Sequence, residues 1–261
     1  MLSKAKIKYI RSLELKKFRH EENAFVAEGP KIVGEFLPCM HCRLLIARPE
    51  WLKAHCHAHA DEVYEVTADE LQRASFLRAP QDVLAVFELP PIPSNVPSCG
   101  LHLALDDIQD PGNLGTIIRL ADWFGIHHLF CSAGTADAFS PKVVQASMGA
   151  LARVAIHSVD LPTFLQAQSA CVPIYGTFLE GENIYQANLE SNGLIVMGNE
   201  GNGISPSVAK TVTHKLFIPP YPMHAETSES LNVAVATAIT CAEFRRRQPN
   251  NESRLSVAGT R

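Results

Sequence analysis

Four prolines interrupt the chain about a third of the way along: the run Glu88–Cys99, ELPPIPSNVPSC, carries Pro90, Pro91, Pro93 and Pro97. Each proline fixes φ and removes an amide donor, so this stretch neither continues a helix nor enters the middle of a sheet. It reads as a stiff linker. The division it imposes is a unit over residues 1–88, a linker over 89–99, a larger unit over 100–247 and a polar tail over 248–261. That tail has no periodicity and is expected to be disordered.

Both units are rich enough in apolar residues to fold. Of 261 residues, 46% are hydrophobic and 19% charged, which excludes wholesale disorder and a collagen-like repeat. No apolar run reaches the roughly 18 residues that a membrane-spanning helix needs. The best stretch, Leu231–Ala242, is short and broken by Asn232 and threonines. The opening MLSKAKIKYI lacks the apolar core of a signal peptide. With an odd count of 7 cysteines, these features predict a cytoplasmic protein with free thiols and no membrane attachment.

The two units differ in pattern. The first mixes a basic helical start with strand-like runs at Ala24–Ala27, Arg43–Ala47, Val63–Val66 and Val83–Leu89, and with helical runs at Lys31–Leu37 and Asp69–Leu77. It reads as a small α/β module. The second alternates regularly. Strands are expected at Leu101–Leu105, His128–Cys131, Arg153–His157, Ile174–Phe178, Leu194–Met197 and Lys215–Ile218. Helices are expected at Leu114–Phe124, Lys142–Leu151, Thr163–Gln168, Pro206–Thr211 and Leu231–Phe244. Such alternation predicts a parallel sheet covered on both faces.

The net charge of -4 and pI of about 6.3 exclude a nonspecific polyanion binder, but the charge is unevenly placed. Lys4, Lys6, Lys8, Arg11, Lys16, Lys17 and Arg19 face a single Glu14 between residues 4 and 19. Arg245, Arg246 and Arg247 close the last helical stretch. Either cluster suits phosphates, or else a solvated helix face and a helix C-terminus dressed to match its dipole.

A parallel α/β sheet binds ligands at the carboxyl ends of its strands. No G-x-G-x-x-G follows a strand and no G-x-x-x-x-G-K-[ST] occurs, which argues against dinucleotide-binding dehydrogenases and P-loop enzymes. Three other segments follow strands. DDIQDPGNLGTIIRLADWFG after Leu105 contains a Pro111-Gly112-Asn113 turn, with Asn113 as the expected N-cap and Arg119 off the apolar stripe of its helix. GNEGNGISP after Met197 has glycines that permit close backbone approach and amides for a ligand, with Glu200 among them and a helix capped by Ser205 and Pro206. PPYPMHAETSESLNVAVATAITCAEFRRR after Ile218 begins a helix expected to be capped by Ser230, with Asn232 entering an apolar run.

Taken together and in this order, N-L-G-T-I-I-R at Asn113–Arg119, G-N-E-G-N-G at Gly198–Gly203 and S-L-N-V-A-V-A-T-A-I from Ser230 resemble the three motifs of the SpoU (TrmH-like) RNA 2′-O-ribose methyltransferases of the SPOUT class. The resemblance covers about Leu101 to Arg247. A weaker likeness reaches the start, where LKKFRHEENAFVAEGPKIVGE is similar to the RNA-binding domain of many relatives.

The resemblance implies an α/β fold: a C-terminal SPOUT-type parallel sheet threaded into a trefoil knot, preceded by a small α/β RNA-binding domain. It implies a homodimer with active sites near the subunit interface. S-adenosylmethionine would be the cofactor, held by Thr177, Gly198, Gly203, Ile218 and Leu231, largely through backbone groups. The substrate would be structured RNA, ribosomal or transfer, with guanosine as the expected nucleotide.

Methylating a ribose hydroxyl requires in-line alignment, removal of a proton and a grip on the flanking phosphate. The resemblance gives Arg119 the central role, either as base or as phosphate clamp, a guanidinium being a very poor proton acceptor. Glu200 would orient or polarise Arg119, while Asn113, Ser230 and Asn232 would supply hydrogen bonds to the RNA or to that pair. Lys4, Lys6, Lys16, Lys17 and Arg19 are the expected RNA-binding residues of the first unit. Two rival functions remain: a noncatalytic RNA-binding or ribosome-assembly protein that keeps the fold, and a small-molecule α/β enzyme.

Cys39-x-His41-Cys42 and His55-Cys56-His57-x-His59 mimic metal ligands. Their spacing is unlike the tight-turn pairs of zinc sites, and the second cluster falls in an expected helix where neighbours point different ways, so no metal is expected.

Overall fold

The computed structural model describes residues 2–91, 99–222 and 230–247. The tail at 248–261, residues 92–98 of the expected linker and residues 223–229 of the lead into the third motif lie outside the described residues. Elements in the first unit are α1 (Lys4–Ser12), α2 (Lys16–Glu22), β1 (Ala24–Glu28), α3 (Pro30–Phe36), β2 (Cys42–Ala47), α4 (Pro49–Ala54), β3 (Glu62–Glu65), α5 (Ala68–Ala74) and β4 (Val83–Glu88). They build a mixed sheet in the order β1-β4-β2-β3, antiparallel except between β2 and β3.

From residue 101 onward follow β5 (Leu101–Leu105), α6 (Pro111–Trp123), β6 (His128–Cys131), α7 (Pro141–Ser147), β7 (Ala155–Ser158), α8 (Leu161–Gln168), β8 (Ile174–Phe178) and β9 (Glu182–Asn183). β10 (Gly193–Met197), α9 (Pro206–Ala209), β11 (His214–Phe217) and α10 (Val233–Arg246) complete the described chain. The strands form a 7-stranded sheet, β7-β6-β5-β10-β8-β11-β9, in which every pairing is parallel. After β8 the chain returns to insert β10 between β5 and β8, then crosses β8 again to place β11.

Both faces of this sheet are covered, as the apolar runs require. Leu103 and Leu105 of β5 and Ile195 and Met197 of β10 enter the same core as Leu114, Ile117 and Ile118 of α6. Their alternate neighbours Ala104, Leu194 and Val196 pack on the opposite face with Leu161 and Leu165 of α8. The period of two along each strand divides the side chains between two cores.

The first of these cores does not stop at the Pro-rich segment. It continues through Phe25 and Phe87 of the N-terminal sheet and Phe36 of α3. Phe139, in the loop leading to α7, stands 5.0 Å from Phe25 between ring centroids. Arg19 of α2, only 3% exposed, donates to Asp137 and to the carbonyls of Leu13 and Glu14, so it is a buried strut between the units rather than an RNA-binding residue. Burying a guanidinium requires this full set of partners.

Local chemistry moves several expected boundaries. α6 is capped by Asp110, whose Oδ1 accepts from the Asn113 amide, with Pro111 at the first helical position. That corrects the assignment of Asn113 as the cap: a preceding Asp followed by Pro satisfies the helix start three residues earlier than the turn residues suggest. Asn232, not Ser230, caps α10 through the amides of Ala234 and Val235. The helix expected at 142–151 ends at Ser147, because Met148 and Gly149 both take left-handed φ, 53° and 93°. α4 ends at Ala54, so His55, Cys56, His57 and His59 follow the helix instead of lying in it.

Candidate active site

The register brings the carboxyl ends of four strands to one edge. Met197 of β10 is opposite Leu105, Val196 is opposite Gly176 of β8, and Thr177 is opposite Leu216 of β11. The loops that leave this edge carry all three motif segments.

Because Asp110 takes the capping position, Asn113 sits on the third helical residue with its side chain available. Its Nδ2 donates to Glu200 Oε1 at 2.8 Å, and its Oδ1 accepts from Asn232 Nδ2 at 2.9 Å. Asn232 meanwhile spends its own Oδ1 on the α10 cap. One line of hydrogen bonds therefore runs from α10 through α6 to the loop after β10, across 119 and 87 residues of sequence separation. Ser230 is exposed two residues before Asn232.

Arg119 lies on the same helix but about 120° around it from Asn113. It is exposed and makes no hydrogen bond or ion pair among the described residues. The expectation that Glu200 orients Arg119 is corrected here: the carboxylate accepts from the nearer Asn113 amide and leaves the guanidinium free to meet another anion. Trp123, one turn further on, is 84% exposed.

The Gly198–Gly203 loop is closed on itself. A Cβ at Gly198 would lie 2.3 Å from the Gly203 carbonyl carbon and the Ile204 nitrogen, so the close approach that glycine permits is between two limbs of one loop. Gly203 takes φ +68° and exchanges backbone hydrogen bonds with Asn199. Asn199 Oδ1 accepts from the amides of Gly201 and Asn202. The amides expected to face a ligand at residues 201, 202 and 203 are thus already paired.

The residues expected to hold S-adenosylmethionine fit it by their chemistry. Thr177, Gly198 and Ile218 stand at the ends of β8, β10 and β11. Thr177 points its hydroxyl inward, 3.5 Å from the Val196 carbonyl. Ile218 is half-buried, and Leu231 leaves 46% of its apolar surface uncovered. None of the five carries a charge that would repel a sulfonium cation.

The expected RNA-binding residues separate. Lys4, Lys16 and Lys17 are exposed, Lys17 with Glu21 at 3.7 Å. Lys6 is committed to Glu62, which raises the ammonium pKa and lowers that of the carboxyl. The C-terminal arginines are structural. Arg245 donates to the Phe124 and Gly125 carbonyls that end α6, while Arg246 and Arg247 bracket the nearly buried Glu243, which they hold below the usual carboxylate range.

The cysteine and histidine clusters do not converge: Cys39, His41, His55, Cys56, His57 and His59 are exposed, and only Cys42 is buried. His41 pairs with Asp61, His55 stacks on Trp51 at 4.1 Å, and burial pushes the Cys42 thiol up to about 12. Among the described residues no group of three or more His, Cys, Asp or Glu side chains is placed to hold a metal ion. Sequence reasoning missed Asp107, Ser132 and Asn199, which tie the loops after β5, β6 and β10 together. An Asp-Asp pair directly after a buried strand was the available signal.

The sequence profile described as the SpoU rRNA Methylase family matches residues 100–242, and that of an MRM3-like substrate binding domain matches residues 4–85. A 23S rRNA (guanosine(2553)-2'-O)-methyltransferase, RlmP, of Bacillus subtilis is 30% identical over 92% of this chain and 96% of its own length. A solved chain from Porphyromonas gingivalis, assigned to the TrmH family of RNA methyltransferases, superposes with a TM-score of 0.88 at 48% identity, covering 95% of this chain and 100% of its own. An AdoMet-bound rRNA methyltransferase from Sinorhizobium meliloti superposes with a TM-score of 0.83 at 31% identity, covering 95% and 97%.

Proposed function

The chain belongs to the SpoU rRNA methylase family, and on that premise we propose that it transfers a methyl group from S-adenosylmethionine to the ribose 2′-hydroxyl of a guanosine in ribosomal RNA. The observation that carries this reading is the meeting of Asn113 of α6, Glu200 of the loop after β10 and Asn232 at the start of α10, with Arg119 further along α6 making no hydrogen bond or ion pair among the described residues. Guanosine and ribosomal RNA come from the relatives' substrates.

S-adenosylmethionine, when bound, supplies a methyl group activated by its sulfonium. Everything else falls to this chain. Thr177, Gly198, Gly203, Ile218 and Leu231 hold the cofactor at the strand ends. Arg119 grips the phosphate next to the reacting ribose and stabilises the developing oxyanion as the hydroxyl proton passes to water. The Asn232–Asn113–Glu200 line fixes the edge of the site, and Ser230 adds a hydroxyl to it. The unit over 1–88 presents Lys4, Lys16 and Lys17 to the RNA backbone, with 100–247 as the methyltransferase unit.

Two further features belong to the same reading. The crossing order of β8, β10 and β11 suits a chain threaded through its own knot. The uncovered Trp123, Leu231 and Val235 suit a homodimer built on α6 and α10, with Arg119 at its border. No described helix is long and apolar enough to cross a membrane. All seven cysteines are free thiols, which suits a cytoplasmic location.

The test supplies labelled S-adenosylmethionine and unmethylated ribosomal particles or RNA to wild type and Arg119→Ala, then digests the RNA to nucleosides for mass spectrometry. An Arg119-dependent 2′-O-methylguanosine is expected. A base-methylated product, or transfer that survives in Arg119→Ala, overturns the mechanism.

A further inference from the structure

Asn199 lies between Gly198 and Glu200, and its side chain uses both ends. Oδ1 accepts from the amides of Gly201 and Asn202 at 2.9 and 3.0 Å. Nδ2 donates to the Asp107 carbonyl at 2.8 Å, across 92 residues. The backbone of Asn199 is locked as well, through its paired bonds with Gly203.

Asp107 is itself tightly held. It takes a left-handed φ of 57°, uncommon outside glycine though tolerated by Asp. Ser132 Oγ donates to its Oδ1 at 2.5 Å and accepts from its amide at 2.9 Å. Gly134 leaves room for the carboxylate: a Cβ there would come within 2.4 Å of Oδ1. The neighbouring Asp106 is buried and accepts from the Ser205 amide at 2.7 Å, pinning the other end of the same loop. Non-glycine left-handed backbone at a site persists only where the surroundings over-determine it.

We infer that Asn199, anchored on Asp107, is a positioning residue that sets Glu200 against Asn113. The loop after β10 carries no apolar side chain between Gly198 and Gly203 to hold it by packing. Its placement relative to α6 therefore rests on directional bonds: Asn199 to Asp107 at one end, Ser205 to Asp106 at the other, and Glu200 to Asn113 between them. Losing the first lets the carboxylate drift from the Asn113 amide, and the Asn113–Asn232 bond loses its partner in turn. This deepens the methyltransferase reading and rests on it for its catalytic consequence only.

The two ends of the Asn199 side chain can be separated. Asn199→Asp keeps an oxygen for the Gly201 and Asn202 amides but sets a carboxylate oxygen against the Asp107 carbonyl. Ser132→Ala is the milder variant, since it loosens Asp107 and leaves Asn199 intact. In a spectrum of 15N-labelled protein, the Asn113 side-chain amide signals should move in both variants, more in Asn199→Asp. That readout needs no substrate, so it decides the positioning claim even if wild type transfers no methyl group.

With an active wild type, Asn199→Asp should lower kcat by roughly tenfold to a hundredfold, as expected for misplaced site groups, with KM for RNA nearly unchanged. In a Glu200→Ala background the same change should cost little more, because both act through one contact. Unmoved Asn113 signals, or losses that multiply fully in the double variant, would overturn the inference.

Discussion

Arg19 and Arg119 carry the same group into opposite surroundings. Arg19 is 3% exposed, with Asp137 and two backbone carbonyls as partners, while Arg119 is exposed with none among the described residues. The N-terminal unit spends much of its charge on holding itself and its neighbour: Lys6 on Glu62, Arg19 on Asp137, and Glu35 on Arg153 beyond the linker. At the strand-end cleft the polar side chains bond to one another, and Arg119, the one cation of α6, stays unpaired among the described residues. A guanidinium with its partners already in place serves structure, and one without them is the candidate for meeting a phosphate from outside the chain.

The largest effect should come from breaking the structural member of this pair. Arg19→Ala leaves Asp137, only 18% exposed, facing the space of a lost cation. Removing one partner of a buried ion pair costs about 3–5 kcal/mol. Denaturant unfolding should show that loss, and Arg19→Met with Asp137→Leu should recover most of it. If the single variant unfolds like wild type, the two units are not joined through this contact. Because the core is continuous across them, point changes of this kind are cleaner than deletion of residues 1–88.

Arg119→Ala should behave in the opposite way. Methyl transfer should fall by roughly a hundredfold to a thousandfold, the range for losing one preorganised group that meets developing charge. The unfolding midpoint should stay put, since Arg119 makes no bond among the described residues. Arg119→Lys sharpens the point: a phosphate clamp keeps part of its activity with lysine, whereas a base role does not survive while lysine stays protonated. A destabilised Arg119→Ala would erase the contrast with Arg19.

Smaller again is the effect expected at the exposed lysines. Lys16→Glu with Lys17→Glu should weaken RNA binding and reduce the slope of log K against log salt by about one to two units, each phosphate contact contributing roughly 0.7–0.9. An unchanged slope would mean that α2 does not touch the RNA.

What the sequence discloses follows from how local each cause is. Strand ends at Leu105, Cys131, Phe178 and Met197 were legible because apolar runs stop where the chain leaves the core. The three motif segments were legible because each follows such an end. The fate of the basic run was not, since the partner of Arg19 is 118 residues away and nothing near it signals burial. Within the site, the likeness to known motifs pointed to Asn113, Glu200 and Asn232 and allowed the bond from Asn113 to Glu200, but it set Glu200 on Arg119, because side-chain pairing depends on which turn of α6 faces the loop. Asp110 shows the converse: an Asp directly before Pro is a local cap signal, and the more conspicuous turn residues obscured it.

The least effect concerns pH and tests whether the parallel sheet has polar weak points away from the cleft. His128 on β6 and His157 on β7 meet at 3.0 Å between Nδ1 and Nε2, with His157 stacked on Phe130 and His102 against His128. Burial first, then the neighbouring histidines, hold both below their ordinary value of 6.5. The unfolded chain therefore takes up these protons before the folded one, so this contribution is intact above pH 6.5 and is lost as pH falls below it. Glu28 opposes it: its carboxyl, buried beside Ser75 and the Phe76 amide, is pushed up, so the folded state holds that proton more readily and gains as pH falls. A single profile mixes the two, and only the difference between wild type and His157→Gln isolates the histidines. Urea midpoints for the two proteins should run parallel above pH 6.5 and converge towards about pH 5, wild type falling the faster. Parallel profiles throughout would mean that the pair takes up protons as readily in the sheet as in the open chain.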